Sequence, residues 1–356
     1  MSIRCDRLVE SANAVGMDAI LVTSMTHMQY FSGFTGDNGV LIITADTRLL
    51  FTDFRYTIQA NQQVEGEFEV IEVSRGITPD LILGELRKRS VTSCGYEEEN
   101  MTVKQFEKYG ESEITMIPAS SIMKKIRMVK SDAEIKNLIA AQGYADKAFS
   151  ELLGMIAPGM TEKDVANELE YLMKKCGSDG KSFDTIVGSG ENGALCHAVP
   201  TDRKLRHGDL VVIDFGAMKN GYHSDMTRTI AIGEPCDELK KIYKIVLAAH
   251  TLALRSVRPG IECVNLDAIA RECIQSYGYG DNFGHSLGHG FGLEIHEGPS
   301  ASTLSKDTLE PGNTITIEPG IYIENLGGVR IEDCVIVTKN GYLDPVTSAK
   351  TLLIIE

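Results

Sequence analysis

Short apolar runs at residues 19–22, 40–43 and 49–51 alternate with amphipathic helical stretches through the first 118 residues. Strands interleaved with helices in this way predict an α/β domain over residues 1–118. Nothing in it gathers histidines, cysteines and acids into a site. After Pro118-Ala119-Ser120-Ser121 the chain turns basic, from Met123-Lys124-Lys125-Ile126-Arg127 to Lys130, and residues 119–130 read as a linker. Ser131 then opens a long helix, because Glu134 follows three residues on, at the spacing of a capping box.

From residue 131 the pattern occurs twice. One helix ends at Ala157-Pro158-Gly159 and its counterpart at Arg258-Pro259-Gly260, 101 positions later. A second helix runs from Val165 and from Leu266, stopping at Gly177 and Gly278, again 101 apart. Each copy then offers a strand. Val211-Val212-Ile213 leads into Asp214 with Gly216 two residues on, and Ile315-Thr316-Ile317 leads into Glu318 with Gly320 two residues on. Both pass a glycine-containing turn and return to a second acid, Asp225 and Glu332. Landmarks in one order at a nearly constant offset predict a duplicated helix–helix–hairpin unit. The copies would face each other across a pseudo-two-fold axis, with the hairpins in one curved antiparallel sheet and the helices outside. Residues 131–356 are therefore expected to form an α+β domain.

Strand side chains alternate faces, so Leu210, Val212 and Asp214 share one face, as do Asp225 with Thr227 and Arg330 with Glu332. Each hairpin can point both its acids into the same cleft. Carboxylates buried in apolar strands are unfavourable unless something neutralises them, and four together suggest bound cations. Between the copies lies His285-Ser286-Leu287-Gly288-His289-Gly290, followed by His296, and His197 stands 99 residues before His296. One imidazole with four carboxylates is a hard, oxygen-rich set that favours Mn²⁺, and also Co²⁺ or Fe²⁺, over a thiolate-type zinc site. Two such ions sharing acids could activate water and polarise a carbonyl, which points to amide hydrolysis.

Composition narrows the picture. The net charge of −15 and the absence of a basic stripe exclude a nucleic-acid partner. No run of about 18 apolar residues indicates a membrane span, and the N-terminal segment is charged and helical in pattern rather than a signal peptide. Eight cysteines without a CxxC pair suit reduced thiols in a cytoplasm.

With these residues in view, the chain resembles the proline-specific metallopeptidases of the pita-bread fold, the aminopeptidase P and prolidase enzymes related to methionine aminopeptidase. The likeness rests on Asp214 and Asp225 in IDFGA…HSDMTR, His289 in HSLGHGFGLEIHE, Glu318 in TIEPGIY and Glu332 in GVRIED. It covers the whole chain, including the α/β domain ahead of the catalytic one. The resemblance implies two divalent ions, Mn²⁺ first, with Co²⁺, Fe²⁺ and Zn²⁺ as alternatives. Asp214 and His289 would each hold one ion, Asp225 and Glu332 would bridge, and Glu318 would bind metal and take the proton of the attacking water. His296 matches the histidine that stabilises the tetrahedral intermediate, and His197 and His285 match histidines that contact substrate. Arg330, a candidate substrate-binding residue, also matches a position beside the ligands. Tyr322 and Thr227 match residues that orient them. A homodimer is expected on the same ground.

The implied substrate is a peptide with proline in second position. Methionine aminopeptidase shares the ligands but lacks a preceding α/β domain of this size, and a non-catalytic pita-bread binding protein usually has a broken ligand set. A dipeptidase must recognise the carboxylate directly after proline, to which arginine is well suited. The stretch Glu297-Gly298-Pro299-Ser300-Ala301-Ser302 has none where microbial prolidases often carry one. The expectation is therefore an Xaa-Pro aminopeptidase acting on longer peptides, with Xaa-Pro dipeptidase (prolidase) as the alternative.

Overall fold

The computed structural model describes residues 2–64 and 66–356, and the chain divides into two units, Met1–Arg127 and Met128–Glu356. In the first unit six strands form one sheet in the order β4-β3-β2-β1-β5-β6: β1 (Ala19–Val22), β2 (Val40–Thr44), β3 (Arg48–Thr52), β4 (Glu69–Glu72), β5 (Ser93–Tyr96) and β6 (Thr115–Pro118). The β1–β2–β3 run is antiparallel, and the outer pairs β3–β4, β1–β5 and β5–β6 are parallel. All four residues of β1 are buried, as a strand covered on both faces requires. Ala19 and Leu21 pack with Ile82, Leu83 and Leu86 of the helix Pro79–Lys88. Residues 119–130, read above as a linker, carry the helix Ser120–Met128, whose Met123 and Ile126 are buried. Ser131 caps the next helix reciprocally with Glu134, as its spacing predicts.

The second unit holds the duplication. Helices Asp132–Leu152 and Glu162–Lys175 precede the first hairpin, and Asp237–Ser256 and Cys263–Ser276 precede the second set of strands. The turn between helices needs the same left-handed residue in both copies, Gly159 at φ +92° and Gly260 at +83°, a conformation that costs glycine little. Each turn is tied to its copy in the same way. Gly159 N donates to Leu205 O at 2.9 Å and Leu205 N to Met160 O at 2.8 Å. In the second copy Gly260 N donates to Leu309 O at 2.8 Å and Leu309 N to Ile261 O at 2.9 Å.

The strands of this unit are β7 (Ile186–Ser189), β8 (Leu210–Phe215), β9 (Met218–Lys219), β10 (Tyr222–His223), β11 (Met226–Ile232), β12 (Gly288–Gly290), β13 (Glu297–Ala301), β14 (Thr314–Ile317), β15 (Gly320–Ile323), β16 (Gly327–Arg330), β17 (Asp333–Thr338), β18 (Gly341–Leu343) and β19 (Ile354–Ile355). The curved antiparallel sheet is assembled from short ladders that break where the acids lie. β8–β11 continues as β9–β10 in the first copy, and β14–β17 continues as β15–β16 in the second. Beneath the strands, Leu239, Ile242, Val246 and Ala249 of the helix Asp237–Ser256 pack with Ile315, Ile317, Val329 and Val335. Fully burying each large aliphatic chain contributes about 1.5–3 kcal/mol.

The tail returns to this sheet. β19 lies parallel to the end of β11, with Ala231 opposite Ile354 and Ile232 opposite Ile355. Buried Arg228 donates to Ser348 O and Ala349 O, both at 3.0 Å, to Glu332 O at 2.6 Å, and to Asp333 Oδ1 at 2.8 Å. All eight cysteines are free thiols. Among the described residues no helix is long and apolar enough to cross a membrane.

Candidate metal centre

Asp214 is the next-to-last residue of β8, and Asp225 immediately precedes β11. Glu318 immediately follows β14, and Glu332 immediately precedes β17. Each carboxylate therefore stands where an apolar strand opens onto a cavity of about 700 Å³ that all four line. The ladder registers correct one part of the expected symmetry. Asp214 pairs with Thr227, whereas Glu318 faces Glu332, between the pairs Ile317–Asp333 and Gly320–Arg330. The register counterpart of Glu332 in the first copy is thus Thr227, and the counterpart of Asp225 is Arg330. A shift of two residues keeps a side chain on the same face, so the acids still share the cleft.

His289 is presented by β12. Glycines flank it because the backbone runs hard against its neighbours: a Cβ at position 288 would strike Thr316 O, and one at 290 would strike Gly298 O. His289 Nε2 lies 3.6 Å from Asp225 Oδ2 and 3.5 Å from Glu318 Oε1. Ligand atoms of Asp225, His289 and Glu332 all fall within 4.8 Å of one another. Burial, with repulsion from Asp214 and Glu318, holds the Asp225 carboxyl well above the usual range. Burial, with repulsion from Asp225, Glu318 and Asp214, does the same to Glu332. Burial pushes Glu318 up to about 8, Asp214 adding to the rise and Arg330 opposing it. Burial likewise lowers His289 to about 4, favouring the neutral imidazole that can ligate. Asp214 Oδ1 and Glu332 Oε1 are buried with no hydrogen-bond partner. Unpaired carboxylate oxygens, mutual repulsion and a neutral imidazole on one small volume fit hard divalent cations.

One guanidinium offsets the four acids. Arg330 Nη2 donates to Asp214 Oδ2 at 2.7 Å, Nε to Thr227 Oγ1 at 3.0 Å, and Nη1 to Tyr322 Oη at 2.8 Å and Cys196 O at 3.2 Å. Thr227 Oγ1 in turn donates to Glu332 Oε2 at 2.7 Å. Tyr322 Oη lies 3.0 Å from His285 Nε2, and burial lowers that imidazole to about 4. Arg330 thus directs four of its five N–H donors at groups within the protein, and His285 closes the same chain of bonds. His296 and His197 are exposed on the cavity wall, the His296 ring standing edge-on to His289 with centroids 4.4 Å apart.

Several residues that hold the site escaped sequence reasoning. Thr316 Oγ1 accepts from His289 N at 3.0 Å and meets Glu318 Oε1 at 3.2 Å, joining two ligand candidates through one hydroxyl. Buried Glu162 takes bonds from Ser189 N and Oγ at 2.8 and 2.7 Å and from Thr201 N and Oγ1 at 3.0 and 2.6 Å, clamping both ends of the loop that carries His197. Asp267 does the corresponding work in the second copy: it accepts from Leu287 N at 3.0 Å and pairs with Arg271, which donates to His285 O at 2.8 Å. The signal for Thr316 was present, a polar residue two before Glu318 and on its face. For Glu162 and Asp267, acids near helix starts, no local pattern separates these roles from solvated surface.

Comparison with known proteins agrees with this geometry. Residues 136–339 match the model of metallopeptidase family M24, and residues 4–129 match the creatinase/prolidase N-terminal domain. A Pyrococcus horikoshii protein named Xaa-Pro dipeptidase is 39% identical over 349 residues, 96% of each chain. A solved structure described as an Xaa-Pro dipeptidase from Bacillus anthracis superposes with a TM-score of 0.96 at 41% identity, over 99% of both chains. One described as an X-Pro aminopeptidase from Thermotoga maritima gives 0.90 at 39%, over 99% of this chain and 100% of that one.

Proposed function

The chain belongs to metallopeptidase family M24, and from that premise we propose that it is an Xaa-Pro dipeptidase, hydrolysing the amide bond before a C-terminal proline. The observation that carries the hydrolase reading is the convergence of Asp214, Asp225, Glu318, Glu332 and His289, with two carboxylate oxygens left unpaired. This set would hold two divalent ions, Mn²⁺ being the best match to its oxygen-rich character. Bound ions would supply Lewis acidity toward the scissile carbonyl and water.

The protein's own groups then have distinct tasks. Glu318 takes the proton of the attacking water and returns it to the leaving proline nitrogen. His296, exposed beside His289, donates to the oxyanion as the carbonyl carbon becomes tetrahedral. His197 contacts the substrate from the opposite loop. Arg330, Thr227 and Tyr322 hold Asp214, Glu332 and His285 in place. A bond to proline nitrogen has no N–H, so a site that works on the carbonyl and does not clamp that amide is suited to it.

Relatives named dipeptidases, at 39–41% identity over nearly the whole chain, support the dipeptidase over the aminopeptidase expected from the missing arginine after His296. The Thermotoga maritima protein's description keeps the aminopeptidase as the second reading. Turnover of Ala-Pro against Ala-Pro-Ala, with and without EDTA and added Mn²⁺, decides between them. We expect metal-dependent cleavage with Ala-Pro preferred. Preference for the tripeptide would install the aminopeptidase, and no metal-dependent cleavage of either would remove the peptidase. Light scattering tests the homodimer, and the reduced cysteines agree with a cytoplasmic location.

A further inference from the structure

A dipeptide ending in proline places a free carboxylate one residue from the scissile bond, and the cleft has to meet that charge. Among the described residues lining the cavity, the fixed positive charges are Lys163, Lys181 and Arg330. Arg330 already donates to Asp214, Thr227, Tyr322 and the Cys196 carbonyl. Ser300, in the stretch where an arginine was sought, lines the cavity and brings no charge. Two lysines remain. Lys163 pairs with Asp202 at 3.0 Å, both side chains more than half exposed. Lys181 pairs with Glu170 at 3.1 Å and Asp184 at 2.9 Å, the latter almost wholly exposed. Exposed pairs of this kind are weak and exchange readily for a better-placed anion.

The backbone distinguishes the two lysines. Lys181 forms a β-bridge with Ala217, and Ser182 N donates to Gly216 O at 2.8 Å, so its root is fixed two to three residues beyond Asp214. The chain then bulges. Residues 183–185 stand opposite the single residue Phe215 before Ile186 rejoins the ladder across from Asp214. A bulge re-aims the side chains it carries, and this one brings Thr185 to the cavity wall. Thr185 is 4% exposed, and its hydroxyl has no hydrogen-bond partner in the protein. A buried, unbonded hydroxyl and, four residues earlier on the same cavity wall, an exchangeable ammonium are donors of the kind a carboxylate needs.

We infer that Lys181 and the Thr185 hydroxyl receive the C-terminal carboxylate of the substrate. The inference rests on the dipeptidase reading and assigns its specificity to the bulge after Lys181 in place of an arginine after His296. The test uses the Mn²⁺-loaded full chain with Ala-Pro and Ala-Pro-amide, which differ only in the charge at that end. Lys181→Ala is expected to raise KM for Ala-Pro at least about tenfold more than KM for the amide, with Lys181→Arg restoring most of the difference. Thr185→Val should move the same ratio in the same direction by a smaller factor, and Lys163→Ala should leave it unchanged. The inference is overturned if Lys181→Ala changes both KM values equally or neither, or if Lys163→Ala produces the selective loss. Failure of the wild-type protein to cleave any Xaa-Pro substrate would instead remove the functional reading beneath it.

Discussion

In the first copy of the repeat Val212 stands two residues before Asp214; in the second, Thr316 holds that place before Glu318 and bonds both His289 N and the Glu318 carboxylate. Across the hairpin, Thr227 of the first copy corresponds to Glu332, and Asp225 to Arg330. Bonds cross between the copies at these positions: Thr227 donates to its counterpart Glu332, and Arg330 donates to Asp214. The backbone is duplicated and the chemistry is shared out. Each copy supplies two acids and one polar group that steadies an acid of the other, and neither half contains a complete site.

The comparison breaks most visibly at the two equivalent strand ends. Glu318→Gln, which keeps the shape and removes the proton acceptor, should lower kcat on Ala-Pro by about 10²–10⁴-fold. A loss under tenfold would return Glu318 to the rank of a ligand only. Next, Arg330→Met removes one side of a buried pair and strands Asp214. Urea unfolding in EDTA should show a loss of about 3–5 kcal/mol. An unchanged midpoint would mean the cross-copy bonds are incidental.

Metal removal sharpens the comparison through pH. In the ion-free protein the folded-state pKa values of Asp225, Glu318 and Glu332 lie above their unfolded values, Glu318 at about 8. The folded state therefore retains protons that the unfolded chain releases. Their favourable contribution is complete below the unfolded carboxyl range and is lost as pH rises through the folded values. The Tm in EDTA should fall from about pH 5 to pH 8, and saturating Mn²⁺ should abolish that slope. A flat Tm in EDTA would contradict the repulsion described. The smallest effect is expected from Thr316→Val, which makes the second copy match the first. It should weaken Mn²⁺ binding about 10–100-fold by titration while leaving the fold intact.

Local pattern made much of this legible. The helix pairs, their closing glycines and the Ser131–Glu134 cap are written in neighbouring residues, and the acids stand out because strands rarely end on carboxylates facing one cleft. Register is a different matter. A hairpin slid by two residues keeps the same faces, so alternation alone made Asp225 the twin of Glu332, and only the ladder shows that its counterpart is Arg330. Thr227 and Glu332 lie 105 residues apart, and Glu162 and Thr201 lie 39 apart. Such partners are set by tertiary packing and leave no periodic trace. The helix Ser120–Met128 hid for another reason: its run of basic residues, Lys124, Lys125 and a buried Arg127, masked the buried spacing of Met123 and Ile126.

The tail gives the active centre a dependence that a list of ligands would not suggest. Arg228 spends two of its bonds on Ser348 and Ala349 and another on the carbonyl of Glu332, while Ile354 and Ile355 extend the sheet beside Ala231 and Ile232. Trimming the last dozen residues would leave a buried guanidinium half-bonded against the peptide group of Glu332, a proposed ligand. In practical terms, the far end of the chain works as a splint on Glu332, reaching it through the Arg228 guanidinium.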